Sequence, residues 1–125
     1  MSDVPIPDDV RRFVLTSIPS VAYLEAALLF SRSPQRRWVA DEVAKALYLQ
    51  PRAAAELLES LCAAGLVACE DAQYWYAPDP ELAQCIVRVA ESYHANLVGV
   101  TNLIHSTTQK SAVRFADAFK LRKDK

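Results

Sequence analysis

Hydrophobic positions recur at three- and four-residue steps along much of this chain, the spacing that lines one face of an α-helix. Val10, Phe13 and Val14 share such a face in a short segment that comes after an arm with prolines at 5 and 7, and Pro19 ends it. Val21, Leu24, Ala27 and Leu28 form the next stripe, stopped by the polar stretch 31–35 with Pro34. Trp38-Val39 reads as a short edge strand. Val43, Ala44 and Leu47 mark a third helix, opened by Asp41-Glu42, two acids in a first turn where the helix dipole favours them. After a turn at Tyr48-Leu49-Gln50, Pro51 opens a fourth helix with Ala54, Leu57, Leu58 and Leu61 inward and Gly65 as its stop.

Residues 66–69 and 74–77 read as two short strands joined by Glu70-Asp71-Ala72-Gln73, a small hairpin. Asp79-Pro80-Glu81 then supplies a capping acid, a proline for the first helical position and an acid for the first turn. Leu82, Ile86, Val89, Ala90, Tyr93, Leu97, Val100 and Ile104 continue at helical spacing to about His105, a rod of roughly 40 Å at about 1.5 Å per residue. Such a rod overhangs a small core, so a homodimer through residues 82–104 is expected. Gly99 inside it points to close helix approach or a bend.

The fold class expected is mainly α with a small β-hairpin. Residues 41–47, the turn through Gln50, Pro51-Arg52-Ala53-Ala54, Leu57-Leu58-Glu59-Ser60-Leu61, Ala64-Gly65-Leu66-Val67 and the aromatic Tyr74-Trp75-Tyr76 resemble winged helix-turn-helix regulators of the MarR and PadR kind. The resemblance covers about residues 20–105 and includes the long C-terminal helix by which such proteins often dimerise. It divides the chain into an N-terminal arm and short helix (1–18), a winged helix-turn-helix (19–78), a long dimerisation helix (79–105) and a tail (106–125).

The resemblance implies a transcriptional regulator that lays its fourth helix in the major groove of double-stranded DNA. By position, Arg52 and Gln50 would face base edges or phosphate, and Arg36, Arg37 and Lys45 would flank them on phosphate. The chain also departs from that pattern. Val39 or Ala40 stands where Ser or Thr usually caps the first helix of the motif, Ala53 and Ala55 offer no hydrogen bonds, and Glu56 and Glu59 lie on the face that would meet DNA.

Charge sharpens this conflict. Residues 38–77 carry two basic and six acidic side chains, a net of −4, with no Lys or Arg between Arg52 and Arg88. Phosphate neutralisation supplies most non-specific affinity for DNA, so the alternative is a protein-binding module that uses the acidic face or the tail on the same scaffold. The whole chain has net charge −1, yet residues 106–125 hold six Lys/Arg against two Asp. Arg114, Phe115, Phe119, Lys120, Arg122 and Lys123 make that tail basic and amphipathic. A solubilising end, a DNA arm, and a peptide that docks its two phenylalanines on a protein surface are all consistent with it, and the phenylalanines favour docking.

Arg36-Arg37 fit a phosphate clamp or a solvated pair equally well, whereas Tyr74, Trp75 and Tyr76 fit core packing better than base stacking. With 52% apolar and 23% charged residues and two glycines in 125, one helical domain is expected. The apolar run 21–30 is broken by Glu25 and falls short of the roughly 20 residues of a membrane span, and the acidic N-terminus is unlike a signal peptide, so a cytoplasmic protein is expected. Cys62, Cys69 and Cys85 show no Cys-x-x-Cys spacing and read as buried reduced thiols, and His94 and His105 have no ligand partner at a metal-binding spacing. No phosphate loop, serine elbow or His-Glu-x-x-His occurs. The expectation is a non-enzyme without cofactor or metal.

Overall fold

Prolines and acids set most of the helix starts. Asp8 and Asp9 lie in the first turn of α1 (Asp8–Ser17), and Pro7 precedes them. Pro51 opens α4 (Pro51–Ala63). Asp79 caps α5 (Pro80–Ala95), its Oδ1 accepting the Leu82 N–H at 2.8 Å. Between them lie α2 (Val21–Arg32) and α3 (Ala40–Leu47), and the two strands are β1 (Val67–Glu70) and β2 (Gln73–Tyr76). These elements come from a computed structural model that describes residues 4–106. Arg114, Phe115, Phe119, Lys120, Arg122 and Lys123 of the tail lie outside the described residues.

The chain is mainly helical with one two-stranded antiparallel sheet. Its contacts divide it into two compact units where the sequence led us to expect one domain: residues 21–91 form one, and the described residues up to 20 and from 92 onward form the other.

In the 21–91 unit, α3 packs on α4, and α2 packs on both. Buried side chains are Leu24, Leu28 and Phe30 of α2, Val43 of α3, Ala54, Leu58 and Leu61 of α4, Leu66 and Val67, and Ile86 and Val89 of α5. The buried face of α2 is wider than the stripe read from sequence: Tyr23, Ala26 and Phe30 join it, while Val21 is only half-buried. Small alanines among large apolar residues let a helix be enclosed on most of its circumference, which erases the amphipathic signal. Leu47 and Leu57, expected inside, are half-buried.

Gly65 ends α4 as its position implied. Its φ of +80° is the left-handed conformation, the Gly65 N–H bonds the Cys62 carbonyl at 3.1 Å, and the Leu66 N–H reaches back to the Leu61 carbonyl at 3.0 Å. That pair of bonds, with buried Leu66 next in the chain, is a Schellman stop. β1 and β2 pair Val67 with Tyr76 and Glu70 with Gln73, and both Asp71 and Ala72 between them have positive φ, as a type I′ turn requires.

In the other unit, Val10, Val14, Ile18, Val100 and Ile104 are buried. The helical rod expected to run to His105 does not form. α5 stops at Ala95, Asn96 is non-helical, and a second helix, α6, covers 97–106 to the edge of the described residues. Asn96 makes the break: its Oδ1 accepts the Gly99 N–H at 2.9 Å as an N-cap, and its Nδ2 donates to the Val4 carbonyl at 2.9 Å. Half of the stripe from which a second chain was inferred is already buried in this one, at Ile86, Val89, Val100 and Ile104, while Leu97 is 54% exposed.

Gly99 is explained by that cap. A Cβ on residue 99 would come within 2.5 Å of the Asn96 amide nitrogen, so any larger residue displaces the capping side chain and both of its bonds. Gly→Ala inside a helix ordinarily stabilises by about 0.5–1 kcal/mol. Here losing the cap, ~1 kcal/mol as in Asn96→Ala, is expected to offset that gain, so that Gly99→Ala is no more stable than the parent chain. Urea unfolding of the two variants checks this, and a stabilised Gly99→Ala would refute it.

Candidate nucleic-acid interface

Trp38 organises this surface. Its backbone exchanges two hydrogen bonds with Tyr74, at 2.7 and 2.8 Å, adding a one-residue bridge beside β2 where an edge strand was expected. The indole is 4% exposed and meets the Phe30 ring at 5.8 Å between centroids, tilted by 58°. Its Nε1–H is buried without an acceptor among the described residues. Burying so large an aromatic outweighs the roughly 1–3 kcal/mol cost of one unpaired donor.

On this base sit the two arginines. The Arg36 guanidinium lies 3.6 Å from the centroid of the Trp38 ring, and that of Arg37 lies 4.0 Å from the centroid of Trp75. Each stacking contributes about 0.5–1 kcal/mol at an exposed site. Both arginines stay exposed, and the ring contacts are compatible with either alternative read from sequence, a phosphate clamp or a solvated pair.

Arg36 is engaged a second time, in an ion pair with Glu42 at 3.4 Å. The other Glu42 oxygen accepts the Val39 N–H at 3.1 Å, which satisfies the start of α3 in place of the missing Ser or Thr. Valine has no acceptor, so only this half of a capping box exists. The ion pair is exposed and weak, yet it orients Arg36 and cancels part of its charge.

Four cues flank the turn between α3 and α4. Lys45, Gln50 and Arg52 are exposed, and none makes an ion pair or side-chain hydrogen bond with the described residues. Gln50 sits at the N-cap of α4 without capping it. Pro51 has no N–H, so the Arg52 and Ala53 amides precede the first intrahelical bond, from the Ala54 N–H to the Gln50 carbonyl at 3.0 Å. Two unpaired donors at a helix N-terminus favour an anion.

The fourth cue was missed in the sequence. Tyr48 is 95% exposed and holds φ 56°, ψ 45°, the left-handed conformation that ends α3. The pattern marked Tyr48 only as a turn residue, because nothing in residue spacing reveals which member of a turn takes positive φ. The wing aromatics also differ from expectation. Tyr74, Trp75 and Tyr76 are all half-buried, with no strict alternation. Burial pushes the Tyr74 phenol up from its ordinary pKa, helped by the Cys69 and Cys62 thiols and by Glu59, and burial alone raises Tyr76.

Opposing these features, Glu56, Glu59, Glu70 and Asp71 are exposed, as are Ala53 and Ala55. Cys69 is exposed too, against the expectation of three buried thiols, and Cys62 and Cys85 are half-buried. His94 and His105 are exposed, and no group of three or more His, Cys, Asp or Glu among the described residues is arranged to hold a metal ion. No single helix among them is long and apolar enough to cross a membrane.

No family model, curated protein or solved structure matches this chain. Function is therefore argued from its own residues.

The Tyr48 side chain buries nothing in the fold while its backbone occupies a region that costs about 1–2 kcal/mol for a residue with a Cβ. Tyr48→Gly is expected to raise stability by ~1 kcal/mol in thermal or urea unfolding. Trp38→Ala is expected to destabilise by about 3–5 kcal/mol, and a loss under about 1 kcal/mol, the size of an ordinary surface change, would contradict its organising role.

Proposed function

We propose that the chain is a transcriptional regulator that binds double-stranded DNA, with α4 along the major groove. Gln50 and Arg52 face the base edges, Arg37 and Lys45 take flanking phosphates, and Arg36 contributes once Glu42 shares it. The observation that carries this reading is the first turn of α4: exposed, uncapped by Gln50, bearing Arg52 and preceded by the open Tyr48 ring. A groove-reading helix needs those properties, and a helix serving only the core does not.

The reading takes the chain as a cytoplasmic homodimer. Val87 in one unit and Leu97 and Val98 in the other, 49%, 54% and 59% exposed, are the large apolar side chains left exposed within residues 82–104 of α5 and α6. Two protomers also double the small number of cations, which matters because a surface with three or four phosphate contacts gains little counterion-release affinity by itself.

A second reading is favoured by a specific observation. The exposed Glu56 and Glu59 lie on α4 itself, and the exposed Glu70 and Asp71 lie on the hairpin. Four acids around the helix that would enter the groove suit a basic protein partner, with Tyr48 as an aromatic anchor.

Titration of the full chain onto generic duplex DNA separates the two. DNA binding predicts affinity that falls with salt by about 0.9 log units per phosphate contact for each log unit of salt, and a slope reduced by about one in Arg52→Ala. Absence of any complex at about 50 mM salt, where phosphate contacts are least screened, would sink the first reading and leave the second.

A further inference from the structure

Cys62 lies in the last turn of α4 and Cys69 in β1, and the Schellman stop at Gly65 folds the chain between them so that β1 packs back on α4. Residues two apart on a strand share a face, so Cys69 stands on the same side as buried Val67. That packing brings β1, with Cys69, back against α4, with Cys62, and the nearby Cys69 thiol helps to raise the Cys62 pKa. Tyr74, the cross-strand partner of Cys69, and Glu59, one turn before Cys62, complete the surroundings. Cys85 is on α5 and belongs to no such pair.

We propose that Cys62 and Cys69 form a redox-modification site, which closes to an intramolecular disulfide by exchange with a low-molecular-weight disulfide. A metal does not explain the pair, because no third ligand completes a set among the described residues. The site stands apart from the DNA reading, since it is read out covalently.

The two environments set the order of attack. Cys69 is exposed and meets the oxidant first. Burial pushes the Cys62 thiol up from its ordinary pKa, and the nearby Cys69 thiol pushes it further. The Cys69 thiolate, its proton lost to water, attacks one sulfur of the small disulfide, forming a mixed disulfide and expelling one small thiolate. Cys62 then loses its proton and attacks the Cys69 sulfur, forming the internal bond and expelling the second small thiolate. The protein pair gives up two electrons and two protons, and the small disulfide takes both as two thiols. Held near by the packing of β1 on α4, Cys62 outcompetes free thiols for the mixed disulfide because its effective concentration is high.

The test incubates the folded full chain with oxidised glutathione, alkylates the remaining thiols and cleaves after glutamate. Cuts after Glu59 and Glu70 leave both thiols in one peptide of residues 60–70, while Cys85 falls in another. The expected product is a 60–70 peptide lighter by two hydrogens and unalkylated, with Cys85 alkylated. Cys62→Ser should accumulate glutathione on Cys69, on the order of tenfold above the parent chain, because the resolving thiol is gone. A stable glutathione adduct on Cys69 of the parent chain, a bond to Cys85, or a fully alkylated 60–70 peptide would each overturn the proposal. The parent-chain result decides even if Cys62→Ser fails to fold.

Discussion

The candidate surface depends on how Trp38 is held. Its main chain is paired with Tyr74 while its side chain is sealed against Phe30, so one residue ties α2, the start of α3 and the wing together. The indole faces provide the ring on which Arg36 lies, and Glu42, reached from the same junction, holds that arginine from the other side. A hairpin of four-residue strands is marginal by itself, so the bridge and the buried indole give it an anchor that its own turn, with Ala72 in positive φ, supplies poorly.

Where local chemistry dictated the outcome, the sequence was legible. Pro51, Pro80 with Asp79, and Gly65 each act through backbone geometry that depends on few neighbours, and the boundaries they set came out as read. Legibility failed where distant parts of the chain decide. The wide burial of α2 needs partners from α3 and α4, and no periodicity reports it. The break at Asn96 was hidden because the apolar stripe continues through it in phase. Gly99 was the visible trace, and its reason, an amide folded over the next turn and bonded to Val4, lies far away in the chain. The states of the candidate residues were not legible: nothing local says that Arg36 is shared with Glu42 or that Tyr48 stands open.

Electrostatics and shape pull this surface in different directions. The uncapped first turn of α4 and its arginine favour an anion, while the acids farther along the helix and at the wing tip repel one. Glu56 stands one turn from Arg52 on α4, close enough to act on it directly, whereas charges farther apart than a Debye length of about 8–10 Å are largely screened in ordinary salt.

The Asn96–Val4 hydrogen bond joins residues 92 positions apart, and this separation sets an order of assembly during synthesis. The unit of residues 21–91 is one uninterrupted stretch and can close while the ribosome is still adding the C-terminal residues. The unit holding Val4 must leave its N-terminal segment waiting, without its partner, until Asn96 emerges. Long loop closure slows folding more than it lowers stability, so the interval in which Val10, Val14 and Ile18 lack Val100 and Ile104 is when a chaperone has most to offer this protein.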